Sequence, residues 1–158
     1  MTVSPVVAPA VGLRPVTPAD AAACAAWYAS TRADLAVLGP AAAPLIASQH
    51  TAREAHYAAT RPRAEDTIVT VDGAAVGRLL LDRTTDPEVV VDIVVAADRR
   101  GRGIGTAVLR EVLERAFAAG RAVTLATAPG AGAASLYARL GFTPVGELGG
   151  YTRWEARP

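Results

Sequence analysis

The most informative part of the chain is residues 89–105, which read VVVDIVVAADRRGRGIG. The β-branched run Val89–Val95 predicts a buried strand, because such side chains pack well on a pleated sheet. Glycines follow at positions 101, 103 and 105, and an amphipathic helix begins at Ile104. Free N–H groups at a helix N-terminus form an anion site, and glycines let a ligand approach the main chain. The stretch therefore predicts a loop that binds a pyrophosphate.

Two other glycine-rich phosphate loops do not fit this stretch. The dinucleotide pattern GxGxxG would require glycine where the chain has Thr106 or Val108, depending on its starting glycine. A Walker A loop requires lysine, and the chain contains none. A flexible turn with solvated arginines at positions 99, 100 and 102 is the alternative that the glycines alone leave open.

Patterns on either side of the loop predict a mixed α/β chain. Thr67–Val71, Ala75–Arg83 and Val89–Val95 are joined by short turns, including the hairpin signal Asp72-Gly73, and so predict an antiparallel meander. A strand over Ala122–Ala128 follows the helix that ends near Gly120, so this crossover predicts a parallel strand pair. Further elements are expected as a strand at Val11–Val16, helices at Pro18 to about Leu38, Ala41–Thr60 and Ala133–Leu140, and strands at Phe142–Val145 and Tyr151–Ala156.

Composition limits the domain organisation and the function classes open to the chain. The chain has 158 residues and a net charge of +1, which gives no whole-protein argument for nucleic acid or an anionic membrane. Residues 11–158 are expected to form one domain after a flexible tail, residues 1–10, that lacks a signal peptide's basic start. The single cysteine excludes an intrachain disulfide and fits a cytoplasmic location, and no run is apolar enough to span a membrane. A homodimer is compatible with this composition.

Two motifs resemble those of the GNAT acetyltransferases. In that family the pyrophosphate loop reads Gln/Arg-x-x-Gly-x-Gly/Ala, and Arg100, Gly103 and Gly105 match it. The stretch AASLYARLGF at 133–142 resembles the family's second signature, Ala-x-x-x-Tyr-x-x-x-Gly-Phe. The resemblance covers Val11 to the C-terminus in element order and is strongest over Asp66–Phe142. It implies a central, mostly antiparallel sheet of six to seven strands flanked by helices, with a splayed parallel pair that binds CoA.

The resemblance also implies a cosubstrate, acetyl-CoA, and residues that hold it. Exposed main chain of the strand before the loop would pair with the pantetheine arm, and the N–H of Val94 or Val95 would stabilise an oxyanion. The loop and the first turn of the helix would hold the pyrophosphate. The implied cofactor-binding residues are Ile93, Val94, Val95, Arg100, Gly101, Arg102, Gly103, Ile104, Gly105 and Thr106.

Tyr137 matches the position of the family's tyrosine general acid, and its alternative role is packing beside Leu136 and Leu140. Many members carry asparagine where this chain has Gly130, and some carry a glutamate base near the position of Leu125. With no carboxylate there, Asp92 is the candidate base or water-positioning residue. Its alternative role is an ion pair with an arginine such as Arg78.

The predicted function is transfer of an acetyl group from acetyl-CoA to an amine of a small molecule, peptide, protein N-terminus or lysine. A non-catalytic CoA-binding or regulatory module on the same fold is the alternative. The other polar, aromatic and cysteine residues receive structural interpretations. His50 and His56 are expected at the surface without a metal, Cys24 in the core, Glu88 in solvent, and Arg53, Glu54 and Arg61 on a solvated helix face. Trp27, Tyr28 and Tyr57 are candidates for either the core or an acceptor pocket.

Overall fold

The computed structural model describes residues 10–130 and 132–158, and the predicted tail at residues 1–10 lies almost wholly outside them. Seven strands and four α-helices occupy these residues, together with short 3-10 segments at Pro18–Asp20, Ala33–Ala41 and Ala97–Arg99. In chain order they are β1 (Val11–Pro15), α1 (Ala21–Ser30), α2 (Ala42–Thr60), β2 (Glu65–Val71), β3 (Ala74–Asp82), β4 (Glu88–Val95), α3 (Ile104–Ala118), β5 (Val123–Thr127), α4 (Ala134–Arg139), β6 (Thr143–Leu148) and β7 (Tyr151–Ala156).

The seven strands form one sheet in the order β1-β2-β3-β4-β5-β7-β6. Every neighbouring pair is antiparallel except β4 and β5, which run parallel on either side of the α3 crossover. The predicted meander and the predicted parallel pair are thus confirmed. Asp72 and Gly73 have φ angles of 50° and 82°, the left-handed geometry that a tight hairpin between β2 and β3 requires.

The first helix is shorter than predicted. It ends at Ser30 rather than near Leu38, and a 3-10 segment follows. Ser30 Oγ donates to the Trp27 carbonyl at 2.6 Å and Thr31 Oγ1 donates to the Tyr28 carbonyl at 2.7 Å. These bonds to carbonyls of the preceding turn weaken the last turn of the helix, at the point where the backbone changes to 3-10 geometry. α2, by contrast, occupies almost the predicted range.

Apolar cores lie on both faces of the sheet. The larger core joins α3 and α4 to the strands, with Val108, Leu109 and Val112 of α3 each 1% exposed. The smaller core contains Cys24, Trp27 and Ile68 under α1, which confirms the structural interpretation of Cys24. No helix within residues 10–130 and 132–158 has the length and hydropathy that a membrane crossing needs.

α2 has no fully buried residue, and it contacts the sheet through ion pairs. Glu54 pairs with Arg78 on β3 at 2.7 Å, and Arg61 pairs with Asp82 at 3.1 Å. Arg53 of the same helix pairs with Asp92. The prediction of a solvated face for Arg53, Glu54 and Arg61 is therefore wrong. Their partners lie on strands of the sheet, and the spacing of residues within the helix does not identify them.

Glu88 is a second correction. It was expected in solvent, but it is 0% exposed and pairs with Arg121, which precedes β5. Arg121 also donates to the Arg83 carbonyl at 2.8 Å. Glu88 opens β4 where that strand meets β5, and its own N–H donates to the Ala122 carbonyl at 2.8 Å. The pair therefore fastens the closed end of the β4–β5 junction, since a buried carboxylate needs an opposite charge.

Candidate functional site

The two parallel strands separate soon after they meet. Only Glu88 with Val123 and Val89 with Thr124 are paired, so the rest of β4 has an unpaired edge towards β5. On its other edge, Leu80 pairs with Asp92 and Leu81 with Val90, which leaves one extra residue, Val91, as a β-bulge. A bulge bends its strand and increases the local twist. The bend and the early loss of pairing together open a gap beside β4.

The register decides which main-chain amides face this gap. The Ala96 N–H donates to the Val76 carbonyl on β3 at 2.7 Å. Because successive strand residues direct their N–H groups to opposite sides, the Val94 amide also faces β3, while those of Ile93 and Val95 face the gap. Of the two amides predicted for an oxyanion, this geometry favours Val95.

The glycine loop at the start of α3 has the backbone geometry that the predicted anion cradle requires. Gly101 and Gly103 have φ angles of 73° and 78°, which other residues rarely adopt. The first helical hydrogen bond runs from the Ala107 N–H to the Gly103 carbonyl at 3.0 Å. The amides of Ile104, Gly105 and Thr106 therefore precede that hydrogen-bond ladder and are available to a ligand. No atom lies within 4 Å of a Cβ built on any of the three loop glycines.

A cavity of about 380 Å³ lies against this cradle. Its wall is made by Val95, Arg99, Arg100, Gly101, Gly103, Ile104, Gly105, Thr106, Leu136 and Arg139. Arg102 does not line it. Arg100 donates from Nε to the Val95 carbonyl at 2.9 Å and from Nη2 to Ser30 Oγ at 2.8 Å. Arg100 therefore ties the end of β4 to α1, and Arg99 and Arg139 supply the other cationic side chains of the cavity.

Tyr137 lies in α4 and is 8% exposed. Its ring packs edge-on against Phe142, with centroids 5.9 Å apart, and lies 6.0 Å from the Trp154 ring. Burial raises the pKa of the phenol above its ordinary value, and the charge of Asp92 raises it further. The ring therefore has the predicted packing role, and the hydroxyl is held in the protonated form that an acid needs.

Asp92 is held by an arginine other than the one predicted. Arg53 Nη2 lies 2.8 Å from Asp92 Oδ1, whereas Arg78 is engaged by Glu54 and Asp66. The register pairs Asp92 with Leu80, so Arg78 lies two residues away along β3. Burial raises the pKa of Asp92, and the Arg53 charge opposes that rise. A carboxylate with a raised pKa is a better proton acceptor than an exposed one.

A second cavity, which we call the acceptor cavity, lies between α2 and the splayed strands. It measures about 650 Å³ and is bounded by α2, the loop before β4, the two parallel strands and the β6–β7 hairpin. Its lining is His56, Tyr57, Thr60, Arg61, Thr85, Pro87, Val89, Val90, Val91, Thr124, Leu125, Ala126, Leu148, Tyr151 and Arg153. Tyr57 Oη accepts from Arg53 Nε at 2.6 Å, so the wall of this cavity is connected to Asp92.

The structure places the aromatic residues and the two histidines in different environments. Trp27 is core, Tyr57 lines the acceptor cavity, and Tyr28 lines a smaller cavity beside Asp92. His56 is exposed as expected, but His50 is half-buried with its ring 5.2 Å from that of Tyr28. Within residues 10–130 and 132–158, no group of three or more His, Cys, Asp or Glu side chains is arranged to hold a metal ion.

Comparison with known families and structures agrees with this geometry. The profile of the acetyltransferase (GNAT) family matches residues 36–142, more than half of the chain. The chain belongs to the GNAT acetyltransferase family. No curated protein matches it.

Solved structures share the GNAT fold over nearly the whole chain. A GCN5-related N-acetyltransferase from Rhodopseudomonas palustris is 24% identical with a TM-score of 0.68, covering 98% of this chain and all of that one. The PaiA N-acetyltransferase of Thermoplasma acidophilum, solved with coenzyme A, is 12% identical with a TM-score of 0.70, covering 94% and 99%. RimJ of Mycobacterium smegmatis, solved with CoA-disulfide, is 24% identical with a TM-score of 0.61, covering 93% and 81%.

Four residues of this GNAT site were not predicted from sequence: Arg53, Arg139, Tyr151 and Arg153. Positions 53, 57 and 61 recur every fourth residue and so share one face of α2, but this spacing does not identify what that face contacts. Tyr151 and Arg153 alternate with Thr152 and Trp154 along β7, which assigns them to the face opposite the Tyr137 ring. Nothing in the sequence of β7 reveals that this face borders a cavity.

Proposed function

We propose that this GNAT protein is an acetyl-CoA-dependent N-acetyltransferase that acts on an amine. The observation that supports this most strongly is the unpaired edge of β4. That edge has the glycine cradle at one end and the acceptor cavity at the other. A cofactor with its pyrophosphate on the Ile104–Thr106 amides can extend its pantetheine arm along Val95 and Ile93 towards the acceptor cavity.

Residues on and near this strand fit attack of a neutral amine on a thioester. The amine nitrogen bonds to the acetyl carbon, and the carbonyl oxygen becomes an oxyanion that the Val95 amide can stabilise. The C–S bond then breaks, and the thiolate takes a proton from Tyr137. Asp92, directly or through water, accepts the proton that the attacking nitrogen loses. Holding both reactants beside one strand edge supplies a further part of the rate.

The reaction is tested by incubating the protein with acetyl-CoA and a panel of amines that differ in size and charge. Release of free thiol should depend on both protein and amine, and mass spectrometry should find the acetylated amine. CoA binding without thiol release from any amine would instead support the non-catalytic CoA-binding alternative.

Binding of CoA should raise the melting temperature. A ligand at tenfold its Kd stabilises the native state by about 1.4 kcal/mol, which corresponds to about 4 °C for a domain of this size. NAD and ATP should have much smaller effects at equal concentration, because the loop lacks the features of either nucleotide fingerprint. Equal shifts with NAD and CoA in a thermal denaturation series would contradict the CoA assignment.

Replacing Asp92 with asparagine should change the pH dependence of acetyl transfer. A base acts only when deprotonated, so kcat/KM of the wild type should rise with pH through the raised Asp92 pKa, above the ordinary value of about 4. The amide of an asparagine cannot accept that proton, so the limb due to Asp92 should disappear, the limb due to deprotonation of the amine should remain, and the plateau should fall about tenfold.

The matched control is Asp72→Asn, the same chemical change in the exposed β2–β3 turn, where asparagine tolerates the positive φ. It should leave both the plateau and the acid limb intact. An unchanged acid limb in Asp92→Asn would assign that limb to another group and leave Asp92 as a structural ion-pair partner of Arg53.

A further inference from the structure

The acceptor cavity presents arginine and tyrosine donors and lacks acidic side chains. Arg61, Arg153, Tyr57 and Tyr151 line it. The hydroxyls of Thr60, Thr85 and Thr124 line it as well, but they already donate to main-chain carbonyls. None of the lining residues is an aspartate or glutamate. A wall of this kind favours an anionic group on the ligand and repels additional positive charge.

The donors differ in how far the protein already uses them. Arg61 pairs with Asp82 Oδ2, and the Thr84 amide and hydroxyl both donate to Asp82 Oδ1. Arg61 is therefore partly neutralised. Arg153 has no carboxylate within 4.0 Å in the part of the chain that the structure describes, so its charge remains available to a ligand.

Tyr57 supplies a further donor. Its hydroxyl oxygen accepts a hydrogen bond from Arg53 Nε, so its own proton is free for another acceptor. Burial raises the pKa of Tyr57 above its ordinary value, which keeps that proton in place at neutral pH. Tyr57 and Arg153 lie on different elements, α2 and β7, so both sides of the cavity present donors.

Apart from His56, the rest of the lining is apolar. Val89, Val90 and Val91 of β4, Ala126 of β5 and Leu148 of β6 form an apolar surface between the polar walls. The volume of about 650 Å³ lies within the ordinary range for small-molecule sites. The cavity can therefore hold an acceptor much larger than a simple amine such as methylamine. A ligand that matches this lining has an apolar body as well as an anionic group.

We propose that the acceptor is a small amine that carries a carboxylate and an apolar or aromatic body, as an apolar amino acid does. This inference rests on the proposed acetyltransferase function and names its acceptor class. Arg153 and Tyr57 bind the carboxylate, and the valines of β4 contact the apolar body. The same positive charge disfavours a protonated amine, so the reactive neutral form is favoured near the thioester. Polyamines and lysine-rich peptides are poor acceptors because their extra ammonium groups meet two arginines.

The test compares two acceptors that share a body and differ in charge, and adds a polyamine as a third. Phenylalanine carries the carboxylate, phenylalaninamide replaces it with a neutral amide, and spermidine carries only positive charges. Replacing the carboxylate with an amide makes the amine less basic, so kcat/KM is expressed for the neutral-amine fraction of each acceptor. On that basis, thiol release from acetyl-CoA should give the amino acid a value about tenfold above that of its amide, the size expected for a charge-assisted hydrogen bond at a partly exposed site. Spermidine should be the poorest of the three.

Arg153→Gln tests the residue assigned to the carboxylate. It should lower the ratio of acid to amide kcat/KM about tenfold, because only the acid loses an ionic partner. Arg110→Gln removes the same charge from an exposed position on α3, outside the cavity lining, and should preserve the ratio. A melting curve for each variant reports whether the fold is retained.

The outcomes separate the two claims. Acetylation of all three amines at similar rates, or a preference for spermidine, would overturn the acceptor class and leave the acetyltransferase proposal intact. An unchanged acid-to-amide ratio in folded Arg153→Gln would also overturn it. No thiol release with any amine would contradict the proposed function itself, and the acceptor class with it.

Discussion

Gly105→Val is expected to lower CoA affinity about a hundredfold and leave the melting temperature close to that of the wild type. Gly105 lies in the first turn of α3, among the amides assigned to the pyrophosphate. A branched side chain there occupies the space that the phosphate oxygens need. Loss of two charge-assisted hydrogen bonds accounts for a change of this size.

The position suits this test because folding should tolerate the substitution. Apart from its chain neighbours and the backbone of its own helix, nothing lies within 4 Å of a Cβ built on Gly105, and valine is a slightly better helix former than glycine. Gly103→Val would not separate binding from folding. The φ of 78° at Gly103 would strain the backbone of any other residue, in addition to the steric block. Ala118→Val, at the exposed far end of α3, is the matched control.

Calorimetric titration with CoA and a thermal melt on each variant make the measurement. Gly105→Val should lose affinity while folded, and Ala118→Val should keep it. Wild-type affinity in a folded Gly105→Val protein would mean that the loop does not hold the phosphates.

Tyr137→Phe is expected to lower turnover about a hundredfold with little change in stability or CoA affinity. The substitution keeps the ring that packs against Phe142 and Trp154 and removes only the proton donor. General acids contribute about 10²- to 10⁴-fold to rates. The low end applies here because a thiolate is a good leaving group even without protonation. Its conjugate acid has a pKa of only about 8.5.

The pH profile distinguishes this role from packing. If Tyr137 protonates the departing thiolate, the deficit of Tyr137→Phe should narrow as the pH rises past about 8.5, where the thiolate no longer needs a proton. A structural defect would lower turnover by a similar factor at every pH. Turnover equal to the wild type in a folded variant would show that the hydroxyl has no part in the reaction.

Much of the fold could be predicted because its signals are local. Asp72-Gly73 specifies a hairpin within two residues, and the glycine loop after Val95 marks where the main chain leaves the sheet for α3. The end of α1 was missed for a physical reason. Ser30 and Thr31 can occur inside a helix, and no glycine or proline lies between Pro18 and Gly39, so no residue type marks an end at Ser30.

The charged contacts between α2 and the sheet could not be predicted in the same way. Arg53 and Asp92 are 39 residues apart in the sequence, and their pairing depends on how the helix docks on the strands. Charged residues in helices usually face water, so a solvated face was the ordinary expectation. The choice between Val94 and Val95 likewise depended on the register of β4 against β3, which no motif records.

The most direct test of CoA placement is a titration of the isotopically labelled protein with CoA, followed by NMR of the backbone amides. The amides of Ile93 and Val95, which face the gap, and those of Ile104, Gly105 and Thr106, which form the cradle, should shift most. The amides of the last turn of α3, about 20 Å along the helix from the cradle, should shift little. Saturable CoA binding that leaves these five amides unchanged would contradict the account.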